Sequence, residues 1–142
     1  HPQGASMQIQ LIFHGSIILL AGLLCGAPMG RSVNAGKTDD VVRGWRVAHS
    51  GLMIRALLLF CVALLLPIVT LSDLYDRLMA GAFVVSAYGF LIALPLGAAI
   101  RQRGLSSTRG AGQIVYVGNV TGAIGSLIGG AMLMIATFVI AF

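Results

Sequence analysis

Four long apolar runs, separated by short polar breaks, constrain the fold of this chain more than any other feature of its sequence. The runs cover about Met7–Pro28, Trp45–Leu71, Leu78–Ile100 and Gln113–Phe142. Each has the roughly 20 residues that a helix needs to cross a bilayer, and none shows the alternation of a membrane β-strand. Helices satisfy the backbone polar groups in lipid. We therefore predict an all-α membrane protein, a four-transmembrane-helix bundle.

The composition supports membrane insertion over a soluble fold. The 142 residues are 58% hydrophobic and 9% charged, whereas soluble domains carry roughly a quarter charged residues. We predict one transmembrane domain over residues 7–142. Residues 1–6, with the sequence His-Pro-Gln-Gly-Ala-Ser, are interpreted as a tag or linker remnant and are left out of the fold.

The basic residues indicate how the bundle is oriented. The net charge of +5 would suggest a nucleic-acid partner in a soluble protein, but here the positive charges lie in the predicted loops, so we expect none. Loop one and its edge carry four basic residues and loop three carries three, whereas loop two carries Arg77 beside two aspartates. The first two groups are Arg31, Lys37, Arg43 and Arg46, and Arg101, Arg103 and Arg109. Loops one and three are therefore expected on the cytoplasmic side.

Charged groups are rare inside the predicted spans. None of the spans contains Asp or Glu, which argues against a proton- or cation-coupled transporter. Arg55 is the one charge well inside, about 9 Å along the helix from His49. It is either a snorkelling or carbonyl-bound side chain, or part of a functional pocket.

Two histidines lie in or near the membrane. His49 follows Trp45 at the start of the second apolar run, with Arg43 and Arg46 nearby. An imidazole in this setting needs a partner, which could be a neighbouring helix, a water molecule or a metal. Haem would suit the group, with iron on the imidazole and the propionates on the arginines. His14 enters from the opposite membrane face, and its ordinary role would be a hydrogen-bonded core residue.

The fourth run contains a stripe of small residues at steps of four. Such a stripe allows close backbone approach, either within the bundle, at an oligomer interface or against a flat cofactor. Asn119 in this run and Tyr88 in the third are polar groups that could hold a substrate oxygen or join helices. The stripe consists of Gly118, Gly122, Ser126 and Gly130, with Gly125 and Gly129 beside it.

In these features the chain resembles the styrene oxide isomerase family of small four-helix membrane enzymes. The resemblance covers most of the chain, and its most specific part is the Trp-x-x-Ala-His-Ser-Gly run that opens the second helix. The matching positions are His14-Gly15, Gly44 to Gly51, Leu66-Pro67, Asp73 with Arg77, and Arg103-Gly104-Leu105.

The resemblance implies a homotrimer with haem b at each subunit interface and His49 as the axial iron ligand. Arg46 and Arg43 are then expected near the propionates. Ferric haem is implied as a Lewis acid that opens an epoxide, and a 1,2-hydride shift yields the aldehyde. The implied partners are a small hydrophobic epoxide, the lipid bilayer and further copies of the chain. The implied location is the bacterial inner membrane.

The family positions the epoxide with an Asn six residues after the ligand histidine and with a Tyr late in helix three. An ungapped match places Arg55 and Leu94 there. The candidate catalytic residues of this chain are therefore Arg55, Asn119 and Tyr88. Two alternatives remain open: a non-enzymatic membrane protein that binds haem or another small molecule, and a bundle with purely structural histidines that serves as a subunit or carrier.

Overall fold

The structure, a computed structural model, describes residues 2–104, 106 and 109–142 and contains four helices in those ranges. They are α1 (Pro2–Asn34), α2 (Asp39–Leu65), α3 (Asp73–Ile100) and α4 (Ala111–Ala141). All four are long and apolar enough to span a membrane, which confirms the predicted all-α membrane fold. His1 of the proposed tag remnant and Leu105 of the Arg-Gly-Leu motif lie outside the described residues.

The helices do not coincide with the apolar runs. Helix α1 starts at Pro2, ahead of the predicted start at Met7, and α2 spans Asp39–Leu65 where Trp45–Leu71 was predicted. Two aspartates occupy the first turn of α2, where carboxylates favour the positive end of the helix dipole. The helix ends just before Pro67, which has no backbone N–H to continue the helical hydrogen bonds. Hydropathy therefore located α2 but misplaced both of its ends.

The predicted spans contain no carboxylate, but α3, like α2, extends beyond its predicted span and includes two aspartates in its first turn. This helix begins at Asp73, not at Leu78, and Asp76 lies in its first turn with 4% of its surface exposed. The carboxylate accepts the backbone N–H of Leu71 at 3.3 Å, and Ser72 caps the same helix end with its hydroxyl oxygen. Asp76 therefore stabilises the turn between α2 and α3.

The bundle consists of two helical hairpins. Helix α1 packs along α2, α3 packs along α4, and α2 and α3 join the hairpins. Because the helices run alternately up and down, loops one and three lie at one end of the bundle and loop two at the other. In the described part of the chain, α4 makes no close backbone approach to α1 or α2. The largest fully buried apolar side chains are Leu11, Ile18, Leu52, Leu59, Met79, Val62 and Val115.

Helices α3 and α4 approach each other through glycines. A Cβ atom added at Gly89 would lie 2.7 Å from the carbonyl oxygen of Gly118 and 2.8 Å from the backbone nitrogen of Gly122. The predicted small-residue stripe thus serves packing inside the bundle. The face of α4 that packs on α3 is not the whole predicted stripe. Gly125 and Gly129 are buried against α3, whereas Gly130, a member of the predicted stripe, is exposed.

We expect Gly89→Ala to destabilise the bundle and Gly81→Ala to leave it unharmed. Both glycines lie in α3, where alanine is the better helix former by about 1 kcal/mol. At Gly89 the added methyl meets backbone atoms, and overpacking costs about 1–3 kcal/mol. At Gly81 nothing lies within 4 Å of the new Cβ. Thermal unfolding in detergent, followed by helical circular dichroism, should show a lower midpoint for Gly89→Ala alone; equal midpoints would contradict the close approach.

Candidate functional site

His49 lies where α1 and α2 approach each other closely. Its Nδ1–H donates to the carbonyl oxygen of Gly22 in α1 at 2.8 Å. The approach depends on the lack of a side chain in α1: a Cβ at Gly22 would lie 3.1 Å from Leu52 Cβ and 3.2 Å from the Met53 nitrogen. A Cβ added at Gly26, one turn further, would lie 3.5 Å from Nδ1 of His49, so the imidazole ring packs against this glycine. The His49 side chain is therefore held between α1 and α2, with its Nδ1–H bonded to the α1 backbone and its ring packed against α1.

This hydrogen bond selects the tautomer of the neutral imidazole. A carbonyl oxygen can only accept, so the neutral ring of His49 carries its proton on Nδ1, and the Nε2 lone pair is available to a ligand. Histidines that bind metals commonly donate their other ring N–H to a carbonyl or carboxylate, which sets the orientation of the ring. The pair of His49 and Gly22 has that arrangement.

The two arginines before His49 lie on different sides of α2. Arg46 precedes His49 by about one turn and is exposed, on the same side of the helix. Arg43 is about 120° away around the helix axis and lines a cavity on the opposite side. Arg46 is therefore the better placed of the two predicted propionate partners.

His14 occupies a separate place in the bundle. Its Nδ1 lies 2.9 Å from the hydroxyl of Tyr88 in α3, and the two rings meet edge to face at 5.5 Å between centroids. Along α1, His14 is roughly 12 Å from Gly22, the partner of His49. The structure thus places His14 as a hydrogen-bonded link between α1 and α3, and Tyr88, a predicted catalytic residue, is bonded to it.

Arg55 connects α2 to the second hairpin. One guanidinium nitrogen donates to the hydroxyl of Ser126 in α4 at 3.0 Å, and the guanidinium carbon lies 4.2 Å from the centroid of Phe90 in α3. The hydroxyls of Ser126 and Ser86 lie 2.6 Å apart, and both are within hydrogen-bond distance of the Gly122 carbonyl. This polar cluster satisfies a charge at membrane depth without a carboxylate.

A cavity of about 510 Å³ lies next to this cluster, between α2, α3 and α4 and toward the end of the bundle that carries loops one and three. Asn119 lines it and donates to the backbone carbonyl of Arg103 at 3.1 Å. Leu94, which matches the family's Tyr position, also lines it and packs against Gly51. The remaining walls are formed by Asp40, Arg43, Gly44, Val47, Phe90, Ala93, Gly97, Ala98, Arg101, Gln102, Arg103, Val115 and Ala123.

Within one chain the predicted site residues fall into three groups. His49 and Arg46 face the α1 side of α2. Arg55 and Asn119 lie toward the cavity side, and Tyr88 pairs with His14. Sequence reasoning missed the Gly22 carbonyl and the hydroxyl of Ser86; the isolated serine within an apolar helix was the available signal for the second. In the described residues no three His, Cys, Asp or Glu side chains converge on a metal site.

The fold and this site define a small multi-pass membrane protein that presents one tautomerically fixed histidine from its second helix. The family model of styrene oxide isomerase matches residues 7–138, which is most of the chain. The chain therefore belongs to the styrene oxide isomerase family, as the resemblance of its second-helix run predicted. A search of curated proteins found no match.

Proposed function

We propose that this protein is a haem b-dependent membrane isomerase that converts aryl epoxides to aldehydes. Family membership supports the reaction class. The observation that supports haem as the cofactor is the hydrogen bond between His49 Nδ1 and the Gly22 carbonyl. This bond leaves the Nε2 lone pair of the neutral ring oriented and available to bind iron.

The residues around His49 fit a haem. His49 would hold the iron through Nε2, and the exposed Arg46 would face the propionates from the same side of α2, with the predicted Arg43 further round the helix. When bound, ferric haem supplies a Lewis acid for the epoxide oxygen. The oxygen need not be protonated by Asp76, which lies in the first turn of α3 at the loop-two end of the bundle, away from the loop-one end that carries His49.

The reaction is balanced within the substrate. The C–O bond at the aryl carbon breaks, the positive charge develops on that carbon, a hydride moves to it from the neighbouring carbon, and the C=O bond forms. No atom or electron is gained or lost. Water would instead trap the developing cation as a diol, so the chain's contribution is to orient the epoxide and to exclude water.

Arg55, Asn119 and Tyr88 stay proposed substrate-positioning residues with unequal support. Arg55 and Asn119 lie beside the cavity, but they face away from His49 within one chain. Their action on a substrate at His49 would require a neighbouring subunit, in line with the homotrimer that the family resemblance implies. A haem-loaded protein whose native mass in detergent corresponds to one chain would contradict the trimer.

The experiment that tests the function combines a spectrum with an assay. We expect detergent-purified protein to show a Soret band and to convert an aryl epoxide to its aldehyde without diol. A Soret band with no aldehyde would favour the non-enzymatic haem-binding alternative. Protein that shows no Soret band even after incubation with haemin would favour histidines with structural roles alone.

A further inference from the structure

Arg55 carries a positive charge at the middle of the membrane-spanning bundle. Its hydrogen-bond acceptor, Ser126, is the central residue of α4, roughly 22 Å along the helix from either end. A snorkelling arginine extends its guanidinium toward the membrane surface, where the charge is hydrated. The guanidinium of Arg55 is instead bonded to a side chain at mid-helix, so it does not snorkel.

The groups that hold Arg55 in place are neutral. One nitrogen donates to the Ser126 hydroxyl at 3.0 Å, and the guanidinium carbon lies 4.2 Å from the centroid of the Phe90 ring. In the described part of the chain the bond to Ser126 is the only hydrogen bond of this side chain, although a guanidinium has five N–H donors. The guanidinium is therefore fixed in position, while most of its donors and its full charge remain available to a ligand.

No acidic side chain of this protein is placed to neutralise Arg55. The sequence contains four acidic residues, and all of them lie in the first turn of α2 or α3. They are Asp39, Asp40, Asp73 and Asp76. Asp40 is roughly 22 Å from Arg55 along α2, and Asp76 is bonded to the Leu71 N–H at the loop-two end. A further copy of the chain carries its carboxylates at the same helix ends, so a ligand is the remaining source of a counter-charge.

The propionates of the proposed haem do not supply this counter-charge. Arg46, the better placed propionate partner, precedes Arg55 by nine residues and lies roughly 14 Å nearer to the loop-one end of α2. Both propionates extend from the same edge of the porphyrin. A haem with that edge at Arg46 therefore directs neither propionate to Arg55.

We propose that Arg55 binds a carboxylate carried by the substrate, so that the protein selects aryl epoxides with an acidic side group. A guanidinium and a carboxylate pair through two parallel hydrogen bonds, which orient the ligand as well as neutralise it. Phe90 and Leu94 line the adjoining cavity and offer apolar contacts to the aryl ring. The inference rests on the proposed function, in which Arg55 positions a substrate across a subunit interface, and it names the substrate class of that site.

The test compares two epoxides that differ in charge at a position remote from the reacting carbon: para-oxiranylphenylacetate and its methyl ester. We expect the KM of the acid to be about 10–100-fold lower than that of the ester, because hydrogen bonds between charged groups add that much affinity. The two kcat values should be similar, since a methylene group separates the carboxylate from the ring. In Arg55→Gln the KM of the acid should rise to that of the ester, and the KM of the ester should not change.

The matched control is Arg109→Gln, which removes an exposed positive charge from loop three and none from the cavity lining. It should keep the preference for the acid. An equal loss of preference in Arg109→Gln and Arg55→Gln would reduce the effect to general surface charge and overturn the proposal. Arg55→Lys serves where Arg55→Gln does not fold, because it keeps the charge but lacks the planar fork. Its preference for the acid should be smaller than the parent's, and an unchanged preference would overturn the proposed pairing.

A binding measurement separates this proposal from the proposed function. Isothermal titration calorimetry in detergent measures the affinity of two unreactive analogues, para-ethylphenylacetate and its methyl ester. Equal affinity for both analogues, with equal KM values for both epoxides, would overturn the proposal and leave the isomerase standing. Binding of the acid that depends on Arg55, in a protein that converts no epoxide, would leave the carboxylate site standing and refute the isomerase.

Two further outcomes would assign the counter-charge to another anion. Loss of the Soret band in a folded Arg55→Gln variant would assign it to a haem propionate. Chloride that competes with para-ethylphenylacetate at equal concentration would assign it to any small anion. Either result would overturn the proposal, whereas full haem content in Arg55→Gln and no competition by chloride are expected.

Discussion

His49→Ala is expected to yield a folded protein that purifies without haem. The imidazole Nε2 is the proposed iron ligand, and His14 is hydrogen-bonded to Tyr88 in a separate part of the bundle. Loss of a partner that only orients a metal ligand costs about 10–100-fold in metal affinity, so loss of the ligand itself should cost more than about 100-fold. The measurement is the Soret absorbance per chain in detergent, with far-ultraviolet circular dichroism to verify the helical fold.

The matched control is His14→Ala, which removes the other histidine of the bundle. It breaks the hydrogen bond to Tyr88 and the edge-to-face contact between the rings, so some loss of stability is expected. Its haem content should nevertheless equal that of the parent, because His14 lies roughly 12 Å along α1 from the partner of His49. Haem retained in His49→Ala but lost in His14→Ala would reverse the ligand assignment.

The sequence predicted the number and type of the helices because a membrane-spanning helix has one strong sequence signal, a long apolar run. Runs of about 20 apolar residues can be satisfied in lipid only as helices. Their ends were harder to predict, because hydropathy reports where apolar side chains stop and not where backbone hydrogen bonding stops. Helix α2 thus continues through polar residues to Asp39, and α3 begins at Asp73 and includes the capping Asp76.

The sequence offered candidate site residues but not their arrangement in space. Helix geometry alone places His49 and Arg55 about 120° apart around α2. Which helix packs against each side of α2 depends on tertiary packing, and glycines set that packing here. Gly22 allows α2 to approach the α1 backbone closely, and Gly89 allows α4 to approach α3. Those contacts direct His49 to a carbonyl of α1 and Arg55 to Ser126 of α4.

Under the proposed function, reduction of the haem is expected to abolish isomerisation. Ferric iron is the stronger Lewis acid for an epoxide oxygen, and ferrous iron should polarise it less. We expect an aryl epoxide to give aldehyde with the protein under air and to give little or none after dithionite. An aryl epoxide should also react faster than an alkyl epoxide, because the ring stabilises the positive charge on the adjacent carbon.

Two controls make the reduction experiment decisive. Reoxidation by air should restore turnover, which excludes damage by dithionite, and His49→Ala should be inactive in both states because it holds no haem. The carboxylate of Asp76 is engaged by the Leu71 N–H at the loop-two end of α3, so it is not placed to protonate an epoxide bound at His49. Two outcomes would show that the Lewis-acid mechanism is wrong: equal turnover in the oxidised and reduced protein, and turnover that survives the loss of haem. Either result would require an acid other than the haem iron and Asp76.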